Sequence, residues 1–214
     1  MLKLTPVRIL AAIIFFYSLV VMLGWIFNIN ALTGILPNQI GMQFITAFSF
    51  SLAAIGLWFM DLAVNGKSDI PFVILPGTAM LILLILTTSV AAEIFGVHTG
   101  ITDLFIAGNN AINTPIPGMP SPVSVLGFIL FSVAMILSLF NSFNLNKKIL
   151  YFHAVPLILI GSVGVLGYIF NLPFLYYKFI DGSNPIALNT ALMFILLGLG
   201  VFLTERSKIN ENKP

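Results

Sequence analysis

Apolar side chains run along this chain in six blocks of about 18 to 25 residues with hardly a charge inside them. That is the length needed to cross a hydrocarbon layer roughly 30 Å thick at 1.5 Å per residue. The blocks are residues 9–27, 44–64, 71–95, 123–140, 149–170 and 186–203, and each is apolar all round, as a lipid-embedded helix is. Between them lie segments rich in Gly, Pro, Asn, Ser and charge: 28–43, 65–70, 96–122, 141–148 and 171–185. Lys3 and Arg8 ahead of the first block resemble the start of a signal peptide, yet the block is longer than an h-region and lacks a small-x-small cleavage site. It reads as a retained first helix.

Composition reinforces the pattern. Of the 214 residues 59% are hydrophobic and 7% charged, with a mean hydropathy of +1.08, more apolar surface than a water-soluble fold of this size hides. The chain has no cysteine, which removes disulfides, thiolate metal sites and cysteine nucleophiles together. A net charge of +2, with basic residues scattered through short loops, gives no stripe for a nucleic acid. Those residues orient the chain instead. With the N-terminus in the cytoplasm, Lys3, Arg8, Lys67, Lys147, Lys148, Arg206, Lys208 and Lys213 fall inside and only Lys178 outside. The expectation is a multi-pass protein of the cytoplasmic membrane with both termini cytoplasmic.

An internal repeat sharpens the architecture. Gly24-Trp25-Ile26-Phe27, Ala92-Glu93-Ile94-Phe95 and Gly167-Tyr168-Ile169-Phe170 each close an outward-going helix. A returning helix then opens at Thr46-Ala47-Phe48-Ser49-Phe50, Ser124-Val125-Leu126-Gly127-Phe128 or Thr190-Ala191-Leu192-Met193-Phe194. Every unit crosses twice, so all three share one orientation, unlike the inverted repeats of many secondary transporters. The predicted fold is an all-α integral membrane domain over 1–214: six transmembrane helices as three tandem parallel hairpins, at about 9–64, 71–143 and 149–204, pseudo-threefold about the membrane normal. Residues 205–214 form a polar cytoplasmic tail.

What chemistry the chain carries lies on the outer side. Glu93, His98 and Asp103 fall together there, and imidazole and carboxylate are ordinary ligands for a metal ion or a small cation; they are equally ordinary as solvated residues at a membrane surface. Trp25 and Tyr168 share one repeat position with Glu93, either as an interfacial aromatic belt or as walls of a pocket between repeats with Glu93 as its polar anchor. His98 and His153 fall near opposite faces and cannot clamp one haem. Segment 96–122 is longer than its counterparts, as a lid or a flexible excursion would be. Pro76 and Pro156 lie near helix starts, and the glycines 161, 164, 167, 198 and 200 suit close helix packing. No Walker, Rossmann, HExxH or GxSxG context is present, so no enzyme and no cofactor is expected.

The repeats resemble the N-terminal membrane region that precedes PAS and histidine-kinase modules in many prokaryotic sensor proteins. The residues that carry the resemblance are Pro37, Met42, Thr46 and Ala47 in repeat one. Repeat two offers Glu93, Phe95, Gly96, Gly100, Ile101, Asp103, Pro117, Gly118, Met119, Pro122 and Ser124, and repeat three Asn189, Thr190 and Ala191. The repeat motif across the three is Phe27, Phe95 and Phe170, then Met42 and Met119, then Thr46, Ser124 and Thr190. Val123 and Ile45 stand where repeat three has Asn189. The resemblance implies a membrane-embedded sensory or ligand-binding module, with Trp25, Glu93, His98, Asp103 and Tyr168 as the sensing face. After Leu203 the tail is too short for a PAS fold or a kinase, so phosphotransfer would belong to a separate cytoplasmic signalling protein or to a part not present. The alternative is an accessory or structural subunit of a larger membrane complex. A small transporter is less favoured, since no charge is predicted near the bilayer midplane.

Overall fold

A computed structural model describes residues 5–35, 40–64, 69–95, 118–140, 149–176 and 184–211. Within them the chain forms seven helices: α1 (Pro6–Ile26), the single turn α2 (Asn30–Thr33), α3 (Phe44–Val64), α4 (Pro71–Phe95), α5 (Pro122–Phe140), α6 (Ile149–Ile169) and α7 (Leu188–Glu211). Proline opens α1, α4 and α5, where its fixed φ suits the first turn and its missing N–H costs no helical bond. The blocks 44–64 and 71–95 coincide with α3 and α4 at both ends. The last block falls short: α7 starts two residues later than 186 and continues as helix past Leu203 to Glu211, so most of the expected tail is helical.

Five helices are long and apolar enough to cross a membrane, and α7 adds a shorter apolar stretch, Leu188–Thr204. That stretch rises about 26 Å, near the lower limit for a span. The outward faces are themselves apolar. On α1, Ile9, Ile13, Phe16, Val20 and Leu23 form an exposed stripe, while Val7, Ala11, Ile14 and Val21 are buried. A continuous apolar exterior of this kind fits hydrocarbon as the surrounding solvent. Several hydroxyls along the helices bond their own backbone. Ser18 donates to Ile14 O at 2.8 Å, Thr78 to Ile74 O at 2.7 Å and Thr204 to Gly200 O at 2.9 Å.

Packing divides the long helices into two sets. Helices α3, α5 and α7 all touch one another, and α1, α4 and α6 lie outside them. Each outer helix packs on two inner ones: α1 on α3 and α7, α4 on α3 and α5, α6 on α5 and α7. The burial follows: 67% of the apolar window of α3 is buried, against 28% of that of α1. Among the inner helices Phe50 packs edge to face on Phe128 and Phe194, with ring centroids 4.8 and 4.9 Å apart, Phe128 and Phe194 meet tilted at 5.1 Å, and all three are fully buried. Each stands one turn after Thr46, Ser124 or Thr190. Leu57, Met135 and Val201, two turns further on, are fully buried as well.

Candidate functional site

Two polar clusters interrupt this apolar body, one at each end. The first lies where α3, α5 and α7 begin. There the helix ends and connecting segments meet through side chains that bind the backbone of a different helix pair. Gln43, just before α3, accepts from Gly118 N through Oε1 at 3.0 Å. Asn184, ahead of α7, donates to Met119 O at 2.8 Å, and Asn189 in the first turn of α7 donates to Thr33 O at 2.8 Å. Hairpins one and two, two and three, and three and one are thus each joined by an amide side chain. Gly118 takes φ 81°, a left-handed conformation open to glycine, which presents its N–H to Gln43.

Trp25 and Tyr168 serve the loops of their own hairpins. The Trp25 indole donates from Nε1 to Met42 O at 2.8 Å, and the Tyr168 hydroxyl to Ile186 O at 2.7 Å. The backbone around them matches bond for bond. Ile29 N donates to Gly24 O and Leu172 N to Gly167 O, both at 2.8 Å, with Asn28 and Asn171 at φ 55° and 51° in the left-handed position that ends each helix. Met42 N then donates to Thr33 O at 2.8 Å, and Ile186 N to Tyr176 O at 3.1 Å. An indole N–H and a phenol O–H are both donors on a large ring, so one fold position accepts either. Tyr168 also stacks on Tyr176 at 4.7 Å.

The remaining sequence candidates separate. Phe27, Phe95 and Phe170 are 66%, 76% and 65% exposed, so these repeat-motif rings face outward at the helix ends. Thr46, Ser124, Thr190, Met42 and Met119 are buried in the first cluster. Glu93 stands two residues before the end of α4, with its side chain outside what the structure describes. His98 and Asp103, together with Pro37, Gly96, Gly100, Ile101, Pro117 and Lys178, lie outside the described residues. Among the described residues no group of three His, Cys, Asp or Glu could hold a metal ion. His153, 9% exposed, places Nδ1 2.9 Å from Ile149 O in its own helix.

Sequence reasoning missed the second cluster. At the opposite end, Arg8 Nε donates to Asp61 Oδ2 at 2.8 Å, with the two side chains 3% and 0% exposed. Thr5 caps α1 by accepting from Arg8 N at 3.3 Å, and its hydroxyl donates to the same Asp61 oxygen at 3.1 Å. The Arg8 guanidinium also lies 5.5 Å from the Trp58 ring centre. The start of α1 is thereby tied to the end of α3. The available signal was Asp61 itself, the single acid inside an otherwise uncharged apolar block.

The fold and these clusters define an α-helical, multi-pass membrane protein. No family model, no curated protein and no solved structure matches the chain.

Proposed function

We propose that the protein is a membrane-embedded sensory or ligand-binding module, without kinase activity of its own, built from six spans in three like-oriented hairpins around an axis along the membrane normal. Both termini lie in the cytoplasm, as the distribution of Lys and Arg favours. Support for the threefold arrangement comes from the alternate packing of inner and outer helices, the Phe50–Phe128–Phe194 cluster and the matched loop bonds of Trp25 and Tyr168. The observation that carries the sensory reading is the ring of amide bonds from Gln43, Asn184 and Asn189, in which each hairpin grips the backbone of another. A ligand that moves one outer loop loads the other two, and the packed axis carries the load inward. Helix α7, running beyond its apolar stretch to Glu211, offers a cytoplasmic lever to a separate signalling protein. Such a module works only if its stimulus favours one of two arrangements.

Affinity purification of the full chain from native membranes in mild detergent tests this reading. A stoichiometric cytoplasmic signalling protein is expected; a stoichiometric membrane enzyme would replace the sensor by the accessory-subunit reading. One feature favours that second reading. A groove of about 240 Å³ between α1 and α3, lined by Ala11, Ala12, Phe15, Phe16, Trp58 and Phe59 among others, is open and almost wholly apolar, a surface a neighbouring transmembrane helix fits. For the sensing face, replacing Glu93 and Asp103 together should abolish the response of a reconstituted sensor. An unchanged response removes that assignment. Topology is read cleanly because the natural chain has no thiol: a cysteine at Ser207 should react only after the membrane is opened.

A further inference from the structure

Between the first turns of α3, α5 and α7 the structure leaves a cavity of about 10 Å³, whose polar lining is Gln43, Thr46, Ser121, Ser124, Asn184 and Thr190. Thr46, Ser124 and Thr190 occupy the third position of their helices, one from each hairpin. Ser121 and Ser124 bond each other at 2.7 Å, and Ser121 Oγ also accepts from Ser124 N at 3.2 Å. Thr46 and Thr190 are each 2% exposed, line the cavity, and make no side-chain hydrogen bond to another described residue. Two buried threonines thus line one small polar space, with the Ser121–Ser124 hydroxyl pair also on its wall.

We propose that this cavity is a binding site for a single water molecule, held jointly by the Thr46 and Thr190 hydroxyls and the Ser121–Ser124 pair. Its volume is that of about one water sphere, and it supplies the two to four polar partners a buried water requires. The chemistry of the walls disfavours a cation. Among the described residues no carboxylate lines the space, and three helix N-termini converge on it with their positive dipole ends. A halide, which those ends would welcome, is the competing occupant, and exchanging gluconate for chloride separates it from water. One water between the two threonines can bond both hydroxyls together. It also joins the three hairpins without locking them, since water bonds reorient at little cost. The site stands whether or not the protein is a sensor.

The test has two arms. A map of the wild-type protein at about 2 Å or better should show one isolated density within hydrogen-bond reach of Thr46 Oγ1 and Thr190 Oγ1; an empty cavity there overturns the proposal. In parallel, Thr46→Val and Thr190→Val exchange each hydroxyl for a methyl of the same shape. With water in place, each variant should lower the thermal midpoint by about 2–4 °C. The double variant should lose less than the sum, because the second change finds the water already lost. If both single variants leave the midpoint unchanged or raise it, the hydroxyls were dry and the proposal fails. A wild-type midpoint that rises when chloride replaces gluconate would identify a halide instead and overturn it equally. Thr88→Val, whose hydroxyl bonds Leu84 O within its own helix, calibrates the exchange.

Discussion

Breaking the buried pair of Arg8 and Asp61 is the sharpest test of how this helical body is held together at its terminal end. The two side chains are 3% and 0% exposed and meet at 2.8 Å, so in the folded protein each charge is compensated by the other and not by bulk water. Removing one partner of such a pair costs about 3–5 kcal/mol, because an uncompensated charge is left buried. For a chain of this length that corresponds to a fall in thermal midpoint of about 6–20 °C. Arg8→Met and Asp61→Asn should each fall in this range. Asp61→Asn should lie at its lower end, because the long Arg8 side chain at the start of α1 can reach toward the interface while the short Asp61 cannot. The double variant should be milder than the sum of the two, and a coupling of about 1–3 kcal/mol is expected from a thermodynamic cycle. Thermal unfolding in detergent, followed by tryptophan fluorescence, suits the measurement, since Trp58 lies beside the Arg8 guanidinium. Additivity of the two changes within about 0.5 kcal/mol would show that the pair is no energetic unit, and the proposed tie between α1 and α3 would be wrong.

The other polar contacts give smaller, distinct signals. Gln43→Ala strands the buried Gly118 N–H and should cost about 1–3 kcal/mol, read as a lower unfolding midpoint, whereas a change confined to local loop exchange would show the bond to be idle. Asn28→Ala and Asn171→Ala force a Cβ without a helpful polar group into the left-handed position and should each cost about 1 kcal/mol, while the glycine variants hold or gain stability in the same assay. Ser132 Oγ is buried without a partner, so Ser132→Ala should leave stability unchanged or raise it; a loss above about 1 kcal/mol would reveal a bond the structure does not show.

The letters of the chain were sufficient for the long apolar helices, five of which among the described residues are long enough to cross a membrane, because the length of an apolar run is a local property. The bounds of α3 and α4 follow from it directly, and so does the pairing of Trp25 with Tyr168 as corresponding positions. What those two rings do was not legible. The sequence leaves belt and pocket wall open, whereas the fold shows each donating to a carbonyl that lies beyond its own helix end, 17 and 18 residues away. The same limit hid the Arg8–Asp61 pair. Arg8 reads as a topogenic charge and Asp61 as a lone acid, and only the return of α3 past the start of α1 brings residues 53 apart into contact. Likewise Gln43, Asn184 and Asn189 are unremarkable polar residues near helix starts until three hairpins converge and each amide finds a backbone group of another. Hydrophobic burial in lipid selects which segments become helices and is blind to their order around an axis. That order is decided by side-chain shape and by the need to satisfy each buried polar group, and both are properties of the assembled structure.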